Sequence, residues 1–151
     1  MLLTTFDKKL LNMIQTNLPI HPRPFAVLAE RLEVEEQVVI ERLDELKTKG
    51  FIRRIGPFFD STKLGYEGTL VALDVEEDCL EAVAKVINGY HGVTHNYERE
   101  GTLNLWFTLL TPDLEMQEEI LETIQNLKGV KRLISLPAIK KYKVSVQFTL
   151  S

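Results

Sequence analysis

The chain has 151 residues, of which 44% are hydrophobic and 26% are charged, a balance typical of a globular protein with a buried core. Its formal net charge of -4, from 18 basic and 22 acidic residues, gives no overall attraction to nucleic acid, whose protein partners usually carry a basic excess. The single cysteine excludes a disulfide within the chain and favours a reducing compartment. There is no apolar run of membrane-spanning length and no signal-peptide pattern. We therefore expect a soluble cytoplasmic protein.

The first third of the sequence predicts three short helices. The stretch TTFDKKLLNMIQ has apolar residues at helical spacing, with Thr4 or Thr5 as the N-cap. After a proline-rich break, PFAVLAERL begins a second helix at Pro24, and EQVVIERLDELKTKG forms a third that ends at Gly50. One face of the third helix is predicted to carry Val38, Val39, Leu43 and Leu46. Together with FIRRIG, these helices predict a winged helix-turn-helix domain over residues 1–56.

From about residue 57 the pattern changes to strands that alternate with helices. Strands are predicted in GTLVALDV, GVTHNYERE, LNLWFTLL and VKRLISLP, and a fifth in KYKVSVQFTL. Helices are predicted in EEDCLEAVAKVINGY and in PDLEMQEEILETIQNL, the latter introduced by Thr111 and Pro112. This order predicts an α+β protein whose second domain is ferredoxin-like (βαββαβ), with both helices on one face of an antiparallel sheet. We expect a linker over residues 57–67 and the ferredoxin-like domain over residues 68–151.

The second predicted strand carries the polar run HNYER, shortly before the only tryptophan. Because side chains alternate along a strand, His95, Tyr97 and Arg99 are predicted to share one face, opposite Asn96 and Glu98. Arg99 can clamp a carboxylate with two hydrogen bonds. His95 can deliver a proton or approach a metal, and Tyr97 can bind a carboxylate or relay the proton. A hydrated sheet face with interleaved polar residues would give the same pattern.

The helix-turn-helix, the ferredoxin-like domain and the linker FIRRIGPFFDSTKLGYEGTLVALDV together resemble the Lrp/AsnC family of transcriptional regulators over nearly the whole chain. That resemblance implies a DNA-binding regulator that senses a small ligand. The helix expected in the major groove argues against DNA binding, since LEVEEQVVIERLDELKTKG has six acidic and three basic residues, a net charge of -3. Its start presents Glu35 and Glu36 to a polyanion. The regulator is the alternative to an enzyme.

A second resemblance is more specific. HNYER followed by NLWFTL, with RRIGPFFD upstream, is similar to the siroheme decarboxylases, an enzyme branch of the same architecture, from about Asp7 to Tyr142. It implies a carboxy-lyase that removes carbon dioxide from two acetate side chains of siroheme, giving didecarboxysiroheme for heme or d-type heme synthesis. It also implies that no separate cofactor is required, because the iron tetrapyrrole accepts the electrons itself. The implied partner is a homologous second subunit, in a heterodimer or homodimer, with DNA unlikely and no membrane.

The resemblance also names the expected site residues. His95 and Tyr97 are the expected catalytic residues. The expected substrate-binding residues are Arg53, Arg54, Lys63, Asn96, Arg99 and Trp106. Each has an ordinary structural alternative: the two arginines of the RRIG stretch can be surface residues, and the tryptophan can belong to the core. The protein alone is expected to hold no metal, although His95 can ligate the substrate iron. A non-catalytic subunit that completes another chain's pocket is a third possibility.

Overall fold

The computed structural model describes residues 2–144 and 147–151. Its elements are α1 (Thr5–Ile14), α2 (Pro24–Leu32), α3 (Glu36–Thr48), β1 (Glu67–Val75), α4 (Leu80–Asn88), β2 (Val93–Glu98), β3 (Leu105–Thr111), α5 (Leu114–Gln125) and β4 (Val130–Pro137). A short 3-10 turn over Glu77–Cys79 leads into α4. The predicted order of three helices followed by strand, helix, strand, strand, helix and strand is confirmed. None of the helices in these two ranges is long and apolar enough to cross a membrane.

The chain divides into two compact units. The helical unit combines Met1–Pro57 with Lys143–Ser151, and the sheet unit is Phe58–Tyr142. The sequence-based boundaries instead placed residues 68–151 in one domain. The sequence pattern does not reveal that the last segment of the chain belongs with the helices.

Local signals explain the helical unit. At the start of α1, the Asp7 amide donates to Thr4 Oγ1 (3.2 Å) and the Thr4 amide donates to Asp7 Oδ2 (2.7 Å), a reciprocal capping box. Pro24 occupies the first turn of α2, where its missing N–H costs nothing. Gly50 follows α3 with φ +80°, a conformation that favours glycine. The buried core of this unit is Leu10, Leu28, Ala29, Val39, Leu43, Leu46 and Ile52.

Two predictions for the helical unit are corrected. Val38 is not part of the buried face of α3, since 43% of it is exposed. The predicted wing over residues 51–56 contains no strand. The amides of Phe51 and Ile52 instead donate back to the Leu46 carbonyl (2.9 and 3.2 Å), closing the end of α3. The unit is therefore a helix-turn-helix without a β wing in the described chain.

The sheet unit has the ferredoxin-like topology that the sequence predicts. Its four strands pair antiparallel in the order β2-β3-β1-β4. Alternate residues of β1 and β3 are buried beneath residues of α4 and α5, and the principal members of this core are Val71, Leu73, Val83, Ile87, Leu105, Phe107, Leu109 and Ile124. Both helices thus cover one face of the sheet, which leaves the other face for a binding site.

The prediction of a fifth strand in KYKVSVQFTL is wrong for its described residues. Residues 141–144 and 147–150 are not in a strand, and residues 145–146 lie outside the described chain. The backbone of Phe148 and Leu150 forms hydrogen bonds with side chains of α1 rather than with a neighbouring strand. Alternation of polar and apolar residues predicts an extended segment, but it does not tell whether that segment pairs with a neighbouring strand or with the side chains of a helix.

Gly129, just before β4, is expected to be intolerant of any side chain. It has φ +89°, and a Cβ atom there would lie 2.3 Å from Cys79 Cβ and 2.7 Å from Cys79 Sγ. We expect Gly129→Ala to lower the free energy of unfolding by about 2–4 kcal/mol, from backbone strain and overpacking together. Gly65→Ala is the control, because its φ is +82° with open space around it, and it should cost only about 1–2 kcal/mol. Urea titration of both variants would measure the difference, and equal losses would contradict a packing role for Gly129.

Candidate functional site

A cleft of about 530 Å³ lies on the sheet face that the helices leave uncovered. Its lining consists of Leu70, His95, Tyr97, Arg99, Trp106, Phe107 and Thr108. Three of the five polar residues of the HNYER run, His95, Tyr97 and Arg99, therefore line one cleft, as strand alternation predicts. The same cleft has an apolar floor from β1 and β3, so it combines a flat apolar surface with a row of hydrogen-bonding groups.

A β-bulge sets the orientation of His95. Val93 pairs with Leu109 and His95 pairs with Thr108, so Thr94 is an extra residue in β2. Such a bulge changes the direction in which the following side chains point, and bulges are frequent beside active sites. Thr94 Oγ1 lies 3.1 Å from His95 Nδ1 and shares a hydrogen bond with it. This contact holds the imidazole ring and leaves Nε2 as the nitrogen available to a ligand.

The neighbours of His95 complete the polar row. The rings of His95 and Tyr97 are tilted by 34°, with centroids 6.1 Å apart, and 51% of Tyr97 is exposed. Arg99 follows the end of β2, and its amide donates to the Asn104 carbonyl (2.8 Å). The Trp106 indole Nε1 donates to the Leu103 carbonyl (2.7 Å), which fixes the ring as one wall of the cleft.

Asn96 lies away from the cleft. Its partner across the ladder is Phe107, whose side chain belongs to the core beneath the helices. Its Nδ2 donates to the Ala84 carbonyl (3.2 Å) and to Asn88 Oδ1 (2.9 Å), both on α4. Asn96 therefore joins β2 to α4, and the structure does not bring it together with the other predicted site residues.

The remaining predicted substrate-binding residues do not line the cleft. Lys63 is exposed in a turn of the sheet unit, where its amide donates to Asp60 Oδ1 (3.3 Å). Arg53 and Arg54 belong to the helical unit and are exposed, and the Arg54 guanidinium donates to the Pro57 carbonyl. Substrate binding by these three residues stays a prediction.

Asn104 has a structural role that the sequence did not reveal. Its Oδ1 accepts from the Val75 amide (2.9 Å), and its Nδ2 donates to the Val75 carbonyl (2.7 Å). Asn104 stands directly before β3, the strand that carries Trp106. Its side chain pairs with Val75 at the end of β1 as a peptide group of a neighbouring strand would. An asparagine at the start of a strand was the only local signal of this contact.

Asn104→Asp is expected to destabilise the sheet unit. The substitution keeps the acceptor for the Val75 amide but replaces the donor with a second oxygen, which would face the Val75 carbonyl. We expect a loss of about 1–3 kcal/mol in the free energy of unfolding. The control is Asn126→Asp, since Asn126 is exposed and its Nδ2 contacts only the Glu122 carbonyl among the hydrogen bonds of the described residues. It should lose less than about 1 kcal/mol. Denaturant titration of the pair would contradict the assigned role if both substitutions had the same effect.

Comparison with known proteins identifies the family. Residues 7–53 match the model of the siroheme decarboxylase NirDL-like HTH domain, and residues 63–143 match the AsnC-like ligand binding domain. The siroheme decarboxylase alpha subunit of Desulfovibrio desulfuricans is 44% identical over 144 residues, which cover 95% of this chain and 83% of that protein. The chain belongs to the siroheme decarboxylase family. Regulators outside this family have a similar fold.

Two solved structures are similar to this chain over nearly its whole length. The crystal structure of the siroheme decarboxylase NirDL in complex with an iron-uroporphyrin III analogue matches with a TM-score of 0.71 and 35% identity, covering 95% of this chain and 48% of that one. The chain therefore spans about half the length of NirDL. Escherichia coli AsnC matches with a TM-score of 0.82 at 16% identity, covering 97% of this chain and 99% of that one, which confirms the Lrp/AsnC fold.

Proposed function

We propose that this member of the siroheme decarboxylase family is a carboxy-lyase subunit that removes carbon dioxide from two acetate side chains of siroheme. The product would be didecarboxysiroheme, an intermediate for heme or d-type heme. The observation that carries the proposal is the cleft in which His95, Tyr97 and Arg99 stand beside Trp106. The single cysteine fits a reducing compartment, and the proposal places the reaction in the cytoplasm.

The surface of the cleft suits a flat tetrapyrrole that carries carboxylates. Its volume of about 530 Å³ falls in the range of small-molecule sites, about 300–1,000 Å³. Leu70 and Trp106 would contact the apolar macrocycle, and the guanidinium of Arg99 would bind a carboxylate with two hydrogen bonds. Such a clamp would hold the side chain in the geometry needed for cleavage.

The proposed reaction requires one bond to break and one proton to arrive. The bond between the acetate methylene carbon and its carboxylate breaks, carbon dioxide leaves, and the electron pair stays on the methylene carbon in conjugation with the macrocycle. A proton from His95 converts that carbon to a methyl group, and solvent returns a proton to His95. Tyr97 would hydrogen-bond the carboxylate or relay the proton. No cofactor beyond the iron tetrapyrrole substrate is part of this proposal, in which His95 can also approach the substrate iron.

A second subunit would complete the site. The cleft is open above the sheet, where the side chains of His95 and Arg99 are exposed, so this chain supplies one wall. Its relative in Desulfovibrio desulfuricans is an alpha subunit, and NirDL is about twice as long as this chain. We propose that a homologous subunit covers the open side and excludes water from the departing carboxylate.

Ion pairs in the helical unit weigh against the alternative of a DNA-binding regulator. Arg42 of α3 and Lys49, the C-cap residue of α3, both pair with Glu45, and Arg42 also pairs with Asp7. Arg23, near the start of α2, pairs with Glu36. These pairs place carboxylates beside the cations, which weakens the attraction of this unit to a polyanion. A gel-shift assay at low salt tests this point, and sequence-specific DNA binding would overturn an enzyme-only function.

Anaerobic incubation of the purified chain with siroheme, alone and with a homologous companion subunit, tests the proposal. We expect the product mass to fall by one or two carbon dioxide units. Binding with a heme-like absorption change but no mass loss in the presence of the companion would indicate a sensor or a non-catalytic subunit. No binding under either condition would contradict the proposed function.

A further inference from the structure

The last described residues form a regular set of hydrogen bonds with α1. Residues 147–151 are called the tail here. Asn12 Nδ2 donates to the Leu150 carbonyl (2.9 Å), and the Leu150 amide donates to Asn12 Oδ1 (3.3 Å). Gln15 Nε2 donates to the Phe148 carbonyl (2.7 Å), and the Phe148 amide donates to Gln15 Oε1 (2.9 Å). Two amide side chains therefore each bind both polar backbone groups of one tail residue.

The spacing of these contacts on both partners is systematic. Asn12 and Gln15 lie three residues apart, on the same side of a helix. Phe148 and Leu150 lie two residues apart, and alternate residues of an extended chain present both backbone groups to the same side. An amide side chain offers one donor direction and one acceptor direction, as a peptide group does. The helix thus pairs with the tail in the way that a neighbouring strand would.

Lys8 extends the same stripe by one turn towards the start of α1. Its Nζ donates to the Ser151 carbonyl. Asn12 and Gln15 are additionally joined to each other, because Gln15 Nε2 lies 3.1 Å from Asn12 Oδ1. By contrast, 68% of Phe148 is exposed, so its side chain contributes little to the contact. The hydrogen bonds that hold the tail all go to its backbone.

We propose that Lys8 and Asn12 of α1, together with its C-cap residue Gln15, form a peptide-binding stripe whose ligand is the tail of the same chain. The ligand class is an extended peptide bound through alternate backbone groups. The tail of the same chain is the favoured occupant because the structure places it on the stripe, with both backbone groups of Phe148 and of Leu150 bound. This inference does not depend on the proposed enzymatic function.

Amide hydrogen exchange on the full chain, followed by NMR, tests the stripe. We expect the amides of Phe148 and Leu150 to exchange about tenfold more slowly than that of Thr149, after correction for intrinsic rates. Among the hydrogen bonds of the described residues, the Thr149 amide has no acceptor. Equal exchange at all three amides would overturn the proposal.

Variants of the full chain separate backbone binding from side-chain packing. The double substitution Asn12→Ala, Gln15→Ala should abolish the protection of Phe148 and Leu150. Phe148→Ala should preserve it, because the backbone contacts remain. Gln37→Ala is the matched control, since Gln37 is an exposed helical amide that bonds Glu41 rather than the tail. Protection that survives the double substitution would overturn the stripe, and protection that rises with protein concentration would overturn the assignment to the same chain.

Discussion

Replacing His95 with alanine is expected to lower the rate of carbon dioxide release by about 10²–10⁴-fold, the usual contribution of a positioned proton donor. The bulge at Thr94 directs the His95 ring to the cleft face, and the contact of Nδ1 with Thr94 Oγ1 leaves Nε2 available on that face. Without this ring the carbanion-like methylene would depend on solvent for its proton. The measurement is the initial rate of product formation by mass, with siroheme in excess and the companion subunit present.

His91→Ala is the control for this prediction. His91 is exposed in the turn before β2 and does not line the cleft, so its loss should leave the rate within about twofold, in keeping with surface substitutions away from a site. If His95→Ala left turnover unchanged while the companion subunit was intact, this chain would complete another subunit's site without supplying the proton. Siroheme binding measured by absorption would then separate loss of binding from loss of chemistry.

Arg42→Leu is expected to destabilise the helical unit by about 3–5 kcal/mol. Asp7 is fully buried, and both of its carboxylate oxygens accept hydrogen bonds from the Arg42 guanidinium. Removing the arginine leaves a buried carboxylate with only the capping contacts of Thr4. Arg23→Leu is the control, because the Arg23 side chain is 70% exposed in its pair with Glu36, and its loss of stability should be much smaller. Urea unfolding followed by circular dichroism would contradict the prediction if the two losses were similar.

The same pair predicts how stability depends on pH. The hydrogen bonds from Arg42 hold the pKa of Asp7 well below its ordinary range, burial acts in the opposite direction, and the Thr4 amide lowers it further. A carboxyl whose folded pKa is depressed stabilises the fold above its unfolded pKa of about 3.9. That contribution is progressively lost as the pH falls from there towards the folded pKa. Unfolding free energies from pH 7 to pH 2 should therefore fall at the acid end, and the slope should be shallower in Asp7→Asn.

Much of the fold followed from local patterns, because those patterns express which face of each element is buried. Pro24 and Gly50 marked helix ends, and the apolar alternation of β1 and β3 matched the face beneath α4 and α5. The exposure of Val38 and the irregular segment after α3 depended on neighbours distant in sequence. Local periodicity carries no information about such neighbours.

The sequence also predicted part of the candidate site and missed the rest. Alternation placed His95, Tyr97 and Arg99 on one face, and the cleft contains all three. The bulge at Thr94 and the contacts of Asn104 with Val75 arise from the register between strands. Register depends on the whole sheet, so no single stretch of sequence specified it.

The helical unit is built from two separate parts of the chain, and this has a consequence for synthesis on the ribosome. Helices α1 to α3 emerge first, while residues 143–151 follow the whole of Phe58–Tyr142. At typical elongation speeds this interval lasts on the order of several seconds. During that time Asn12 and Gln15 have only water and each other as partners. The nascent helices must therefore be stable without the tail, which can dock only after the sheet unit has been synthesised.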